Sequence, residues 1–230
     1  MDNNQKNYVL AVLLIGIFAL LTAHHLKSYE RVVNVRGLCE REIMADRAIY
    51  PIVYKETGAD LATLSAEVSR KNQIIKDFIK QYGIEDSEIT ISAPVITDNM
   101  SYNNGYVEPS RRYVITSVVN VYTNKVENVL KIQTDQVKLL NEGIAVGSGN
   151  EWENPTVFQF AGLNEVKPEM IQEANENAKK AADQFAKDSH SRLGRIKEAT
   201  QGLFSIENRD SNTPYIKKVR VVTSVSYYLK

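Results

Sequence analysis

Residues 173–196, EANENAKKAADQFAKDSHSRLGRI, give the clearest structural signal in the chain. Small residues recur there at three- and four-residue spacing, with Phe185 beside them: Ala174, Ala178, Ala181, Ala182 and Ala186. Alanine is the best helix former, so propensity alone would explain part of this run. Because the alanines fall on one side of the predicted helix, the pattern favours a helix whose backbone packs closely against a sheet or another helix.

The residues on either side of this stretch set the limits of the helix and predict the strand that closes the chain. Pro168 suits the first helical position, and we expect the helix to end at Gly194. Residues 195–208 are predicted as strand and turn, and residues 216–230 alternate between apolar and polar side chains. One face of this last strand would carry Thr223 and five apolar residues: Val219, Val221, Val225, Tyr227 and Leu229. Such alternation predicts a strand with one buried face.

The first half of the domain begins with two predicted strands. Residues 31–37 and 47–57 are rich in β-branched and aromatic side chains, and a polar elbow is expected between them at residues 40–46. In the second strand one face would carry Ala48, Tyr50, Ile52 and Tyr54. Pro51 interrupts this run, so we expect an edge position or a bulge there.

Two more helices and three more strands follow. Asp60 is a plausible N-cap for a helix that ends at Gly83, and its stripe is apolar: Leu61, Leu64, Val68, Ile75, Phe78 and Tyr82. A second helix would start at Asn124 with a capping box to Glu127 and would close at Gly143. The remaining strands are predicted at residues 87–95, 111–123 and 155–162, with a long hairpin tip at residues 97–109.

The predicted order is β-β-α-β-β-α-β-α-β-β. Hairpins alternate with single helices in this order, which is typical of antiparallel sheets. The expected class is therefore α+β, with mainly antiparallel sheets and helices packed on one face.

An apolar segment precedes the domain. Residues 8–23 carry no charged side chain, and the stretch from Tyr8 to Leu26 approaches the ~20 residues that span a bilayer. Two interpretations stay open, an uncleaved anchor and a cleaved signal peptide. A cut after Ala23 would place the large Leu21 three residues back, where small residues are usual, so we favour the anchor. We expect an anchor or signal segment at residues 1–26, a linker at 27–30 and the domain at 31–230.

Composition excludes several classes of function. Lys and Arg together number 28, as do Asp and Glu, so the net charge is zero. No basic stripe is present, which argues against nucleic-acid binding. Cys39 is the only cysteine, and this excludes an internal disulfide and a cysteine-rich zinc site.

Four features, in order, resemble the SIMPL domain family. They are the apolar N-terminal segment, VVNVRGLCERE with ADRAIYPI after it, the alanine-lined helix, and the closing strand KKVRVVTSVSYYL. The resemblance covers about residues 31–230. It implies an exported α+β protein of two interleaved lobes, in a family where some relatives build large homo-oligomers and others are linked to envelope or oxidative stress. The family has no agreed catalytic residues.

No catalytic, cofactor-binding or metal-binding residues are predicted. Cys39 lies among Glu40, Arg41 and Glu42; Arg41 would lower the pKa of the thiol and the glutamates would oppose it. His190 is expected to be a structural residue near the packed helix face. Residues 143–149 (GIAVGSG) are similar in composition to a phosphate-binding loop. They do not have the order strand, glycine loop, helix that such a loop requires, so we do not predict one.

Three further features are candidates for structural or contact roles. Asp46 and Arg47, at the start of the second strand, are expected to make fold-forming contacts. Trp152 and the hairpin tip from Tyr102 to Tyr106 are possible contact surfaces.

We therefore predict a non-enzymatic protein of the bacterial cell envelope. It would be held in the inner membrane by one pass from Tyr8 to Leu26, with its C-terminal domain in the periplasm. It would act by homo-oligomerisation or partner binding, and a strand edge near Pro51 could join subunits. The alternatives are a thiol-dependent redox protein using Cys39 and a small-ligand binding module with its site between the lobes.

Overall fold

The computed structural model describes residues 3–28, 31–102, 107–147 and 154–230. The helices in these ranges are α1 (Asn3–Ser28), α2 (Leu61–Lys80), α3 (Asn99–Tyr102), α4 (Val126–Asp135), α5 (Lys138–Asn141) and α6 (Leu163–Asp188). The strands are β1 (Val32–Met44), β2 (Arg47–Gly58), β3 (Ile89–Ile91), β4 (Val95–Asp98), β5 (Tyr113–Thr123), β6 (Val157–Gln159), β7 (Leu193–Gln201), β8 (Ser205–Asn208) and β9 (Ile216–Leu229). The predicted α+β class with antiparallel sheets is confirmed.

The chain divides into two compact units, each assembled from separate segments. Unit 1 contains residues 1–42, 163–207 and 218–230, and unit 2 contains residues 43–162 and 208–217. Interleaved units of this kind are what the family resemblance implies.

The sheet of unit 2 is built around the long pair β2 and β5. These strands run antiparallel from the pair Ala48–Thr123 to the pair Gly58–Tyr113. The order is β3-β5-β2-β6, and β4 also pairs with β5. The predicted apolar face of β2 is buried, and it packs with α2 and α4 in one core. That core includes Tyr50, Ile52, Tyr54, Ile75, Ile79, Val119, Val121, Val129 and Ile132.

The ends of α2 follow the sequence signals, whereas the start of α4 does not. The Asp60 carboxylate accepts the Thr63 N–H at 2.7 Å, which confirms the N-cap, and Gly83 has a φ of 77° after the helix. Lys125 is the N-cap of α4 and makes no side-chain cap bond, so the capping box predicted from Asn124 is wrong. The Thr123 hydroxyl already accepts the Lys125 N–H at 3.0 Å and turns the chain there.

The polar elbow predicted at residues 40–46 is also wrong. β1 continues to Met44, and only Ala45 and Asp46 separate it from β2. Charged side chains are compatible with this strand because both of its faces provide partners. Arg41 pairs with Glu173, and Glu40 pairs with Lys218.

The sheet of unit 1 has β9 at its centre. β1 and β7 lie on either side of β9, and β8 also pairs with β9. The β1 and β9 strands run in opposite directions. Two side-chain contacts show this: Asn34 bonds with Ser226, and Glu40, further along β1, pairs with Lys218, earlier in β9. The predicted buried face of β9 is confirmed by Val219, Val221, Thr223, Val225, Tyr227 and Leu229, which are all buried.

Helix α6 packs on this sheet through a row of small side chains. The buried residues of α6 are Met170, Ala174, Ala178, Ala182 and Ala186, which confirms close one-sided packing. Ala181 and Phe185 were expected on this face but are exposed. Each lies one residue before a buried alanine and is therefore turned about 100° away around the helix.

Both predicted ends of α6 are wrong. The helix begins at Leu163, so Pro168 lies inside it, and it ends at Asp188. His190, with a φ of 51°, turns the chain after the helix. Gly194 instead lies in β7, where a Cβ atom would come within 2.7 Å of the Tyr228 carbonyl oxygen. The glycine is needed there for close strand pairing.

We predicted an N-terminal transmembrane helix from Tyr8 to Leu26. Among the residues that the structure describes, no helix is long and apolar enough to cross a membrane. The side chains described within α1 are those of residues 11–23. The membrane assignment therefore stays a prediction.

The closest approach of α6 to the sheet is at Gly37 of β1. A Cβ atom on Gly37 would lie 1.8 Å from the Ala174 carbonyl oxygen and 2.5 Å from the Ala178 nitrogen. Both of these atoms belong to the helix backbone, which has no side-chain freedom with which to move aside. The strand and the helix therefore meet backbone to backbone.

Replacing Gly37 with alanine should separate α6 from β1. We expect Gly37→Ala to lower the free energy of unfolding by about 3 kcal/mol or more, measured by urea denaturation, because the helix must shift to admit the methyl group. Gly147→Ala is the matched control, since nothing lies within 4 Å of the added atom. Equal stability of the two variants would contradict the contact.

Candidate functional site

The thiol of Cys39 lies on the face of β1 that packs against α6. Cys39 is 1% exposed, and its thiol lies beside Glu173 of α6. Arg41, two residues along the strand, donates to Glu169 Oε2 and to Glu173 Oε2, each at 3.0 Å. We call these four residues the Cys39 cluster. The cluster fastens β1 to the first half of α6.

The surroundings of Cys39 keep the thiol protonated. Burial raises its pKa most, and the hydrogen bond and negative charge of Glu173 raise it further, against the opposing effect of Arg41. Hydrogen bonding from Arg41 in turn lowers the pKa of Glu173, so this carboxylate stays charged. The sequence pointed to Glu40 as an opposing charge, but that side chain pairs with Lys218. A buried, protonated thiol is a poor nucleophile, which argues against thiol chemistry at this position.

Asp46 lies in the two-residue connection between β1 and β2, which belong to different sheets. Its carboxylate accepts the N–H of Ala161 at 2.9 Å and the N–H of Gly162 at 2.7 Å, and its own N–H donates to Gln159. These amides directly precede the first residue of α6 in the chain. The contacts are fold-forming, in line with the expectation for Asp46.

A polar network lies inside the core of unit 2, and the sequence analysis missed it. Asn72 Oδ1 accepts from the Tyr54 hydroxyl at 2.8 Å and from the Ser117 hydroxyl at 2.9 Å. Lys71 Nζ donates to Glu56 and to the Gly143 carbonyl oxygen. The signal was present in α2, because Lys71 and Asn72 fall between Val68 and Ile75, where the stripe calls for apolar residues.

This network braces the fold and offers no reactive group. Burial is the main cause that raises the pKa of Tyr54 to about 12, so the phenol stays neutral. The Gly143 carbonyl bonds to a lysine, and Gly143 has a φ of 71° at the end of α5. This part of the GIAVGSG run therefore closes a helix.

A cavity of about 470 Å³ opens along the edge of β2 in unit 2. Its described lining is uncharged: Tyr50, Pro51, Val53, Gln133, Gln136, Val146, Gly147, Asn154, Pro155 and Thr156. The Tyr50 hydroxyl donates to Gln136 Oε1 at 2.6 Å, and burial raises the pKa of Tyr50 to about 12. Such a lining suits a small uncharged molecule.

The cavity exists because the strand pairing of β2 is interrupted on that side. β6 pairs with β2 only as far as Ile49, and the next contact is the bridge between Tyr54 and Val146. Pro51 lies in this gap, where its missing N–H costs no ladder bond. This placement agrees with the edge position predicted for Pro51.

The remaining candidates do not gather into a site. His190 was expected near the packed face of the helix. It is instead exposed in the turn after α6. The Arg47 guanidinium lies 5.4 Å from the ring centre of Tyr122. Trp152 and the tip side chains from Tyr102 to Tyr106 lie outside the described residues. Within the described ranges, no three metal-binding side chains come together.

Comparison with protein families gives one result over most of the chain. The sequence model of SIMPL, described as "Protein of unknown function (DUF541)", matches residues 33–226. No curated protein matches the chain. The match begins in β1 and ends in β9. It therefore includes residues of both units.

Native Cys39 should resist alkylation. We expect maleimide to modify it at least about tenfold more slowly in the native protein than in urea at pH 8, because the thiol is buried and its pKa is raised. Mass spectrometry measures the rate. A Cys39→Ser, Ser69→Cys variant places the only thiol on the exposed face of α2 and should react at the unfolded rate. Equal rates for native and unfolded Cys39 would revive the redox alternative.

Removing the Asp46 carboxylate should weaken the link between the β1–β2 connection and the residues before α6. We expect Asp46→Ala to lower the free energy of unfolding by about 1–2 kcal/mol, because two backbone N–H groups lose their acceptor. Asp46→Asn keeps one side-chain oxygen as an acceptor, so its free energy of unfolding should fall by less. Asp77→Ala, an exposed change on α2, is the control in the same urea titration. A loss no greater than that of the control would show that this link does not depend on Asp46.

Proposed function

Because the chain belongs to the SIMPL family, a family without an assigned activity, we propose a function from the structure itself. The protein is a bacterial cell-envelope protein anchored in the inner membrane by α1, with its SIMPL domain in the periplasm. The domain acts without catalysis, by association with further copies of itself. The strand edge of unit 1 that is formed by β7 and β8 carries this proposal.

The exposure of α1 supports the membrane anchor. Eight large apolar side chains of this helix are between 52% and 72% exposed: Val12, Leu13, Leu14, Ile15, Ile17, Phe18, Leu20 and Leu21. They occupy consecutive turns and point in every direction around the helix. A helix that is apolar on all sides needs an apolar environment on all sides, which a bilayer supplies.

The edge formed by β7 and β8 supports self-association. In the described part of the chain these strands pair only with β9, so their outer backbone groups have no strand partner. Apolar side chains are exposed along this edge, with Ile196 at 54% and Leu203 at 95%. β7 also carries the exposed charged residues Arg195, Lys197 and Glu198, and charge on an edge limits association. The proposal rests on the exposed apolar side chains of Ile196 and Leu203, which suit pairing with another strand.

The edge near Pro51 is less suited to this role than we expected from the sequence. The gap in β2 pairing is short, from Tyr50 to Val53, and Pro51 provides no donor within it. By contrast, β7 and β8 run beside β9 for most of its length. The subunit contact is therefore assigned to the β7–β8 edge.

Anchoring adds to a weak edge contact. Copies held in one plane meet at a much higher effective concentration than copies free in solution. A contact too weak to persist in dilute solution becomes populated under these conditions. The anchor and the edge thus act together, with the membrane concentrating the domains and the strands joining them.

The assembly is tested by the mass of the full-length protein in mild detergent, measured by light scattering after size exclusion. We expect a discrete assembly several times the 26.0 kDa chain mass. The double variant Ile196→Lys, Leu203→Lys should reduce it to a monomer, because it removes the exposed apolar side chains and adds two positive charges to the edge.

The control is the double variant Val137→Lys, Leu140→Lys, which changes two exposed apolar residues of unit 2. It should assemble like the wild type. A monomeric wild-type protein would refute self-association, and an assembly that survives the edge variant would refute the choice of edge. The same measurement on a fragment that starts at Lys27 separates the contribution of the anchor from that of the domain.

A further inference from the structure

We propose that the end of the unit-1 sheet that follows α1 binds the headgroups of anionic phospholipids. The surface consists of the exposed side chains Arg31, Arg192, Arg195, Lys197 and Lys230, which we call the basic end. The inference rests on the membrane anchoring proposed above. It names the chemical partner of the domain at the membrane surface.

Backbone hydrogen bonds bring the basic end together. The Leu229 N–H donates to the Arg31 carbonyl oxygen at 2.8 Å, which places the start of β1 beside the end of β9. The Arg192 and Lys230 amides each donate to the carbonyl oxygen of the other, also at 2.8 Å. Three chain segments distant in sequence therefore present their cations at one end of the same sheet.

Charge is unevenly distributed in this protein. Arg31, residues 187–198 and Lys230 contain six cationic side chains and two carboxylates. The cations are Arg31, Lys187, Arg192, Arg195, Lys197 and Lys230, and the carboxylates are Asp188 and Glu198. The chain as a whole has no net charge. Among these selected side chains the cations outnumber the carboxylates by four, which favours an anionic partner.

The basic end lies close to the proposed anchor by chain length alone. α1 ends at Ser28, three residues before Arg31. Since consecutive Cα atoms are about 3.8 Å apart, the Arg31 Cα lies within roughly 11 Å of the end of α1. That distance is close to the Debye length of about 8 Å in physiological salt. Cations so near a bilayer are attracted to anionic headgroups.

An aromatic ring adds an interfacial feature. The Arg195 guanidinium and the Lys197 ammonium lie 5.8 Å and 5.9 Å from the ring centre of Tyr228. Tyrosine is enriched where protein meets the headgroup layer, because its ring is apolar and its hydroxyl is polar. The cations come from three chain segments that meet at one end of the sheet. This arrangement fits a layer of headgroups better than a single soluble phosphate.

The test uses the full-length protein in vesicles of phosphatidylcholine alone or with about one-third phosphatidylglycerol. Hydrogen–deuterium exchange followed by mass spectrometry reports on residues 192–201. We expect exchange there to be at least about fivefold slower in the anionic vesicles, and the difference to disappear in about 0.5 M salt. Exchange in β2 of unit 2 should not depend on the lipid, and protection in β9 that equals the wild-type value confirms that unit 1 of each variant is folded.

Variants separate charge from structure. The triple variant Arg192→Gln, Arg195→Gln, Lys197→Gln should lose the lipid-dependent difference. Arg192→Lys with Arg195→Lys should keep it, because the charges remain. The matched control, Lys55→Gln with Arg111→Gln and Lys131→Gln, removes three exposed cations of unit 2 and should behave like the wild type.

The outcomes distinguish this inference from the function on which it rests. Protein that is not retained in either kind of vesicle after alkaline extraction would overturn the anchor and the inference together. Equal retention with exchange that ignores phosphatidylglycerol would overturn the headgroup contact and leave the anchor intact. Two other results would also overturn the headgroup contact. One is that soluble glycerol phosphate, added to neutral vesicles, slows exchange in residues 192–201 as much as phosphatidylglycerol does. The other is that the control variant loses the lipid-dependent difference in exchange.

Discussion

The direct contact between the backbone of α6 and the backbone of β1 at Gly37 determines most of unit 1. A Cβ atom at this position would overlap the helix, and the alanine row of α6 is what brings the helix so near. At such a separation long side chains cannot fit between the two elements. Apolar area is therefore supplied by the strands, through Val33, Val225, Tyr227 and Leu229. The small residues set the distance, and the sheet fills the remaining volume.

The Cys39 cluster follows from the same contact. Once α6 lies this close, the residues of β1 beyond Gly37 face the first half of the helix, and a thiol fits where a larger side chain would not. Arg41 then reaches two glutamates on successive turns of α6. The only cysteine is thus a small packing residue beside one arginine that pairs with two glutamates. This explains its burial without any chemistry.

The sequence predicts correctly those features of the structure that depend on contacts between residues close together in the chain. The alanine row, the alternation in β9 and the Asp60 cap were predictable because each depends on neighbours within one or two turns or along one strand. The length of β1, the start of α6 and the partner of Cys39 were not. They depend on Asp46 and Glu173, whose partners lie more than a hundred residues away in the chain. The cavity beside Pro51 depends in the same way on where β6 stops pairing.

The central strand of the unit-1 sheet, β9, follows β1, β7 and β8 in the chain. Among the described strands β1 and β7 pair only with β9, so the unit-1 sheet cannot form before β9 has been synthesised. Native pairing across such a separation is intrinsically slow. For a domain exported as proposed above, this delay is useful, since translocation needs an unfolded substrate. The topology itself would then keep unit 1 open until β9 has crossed.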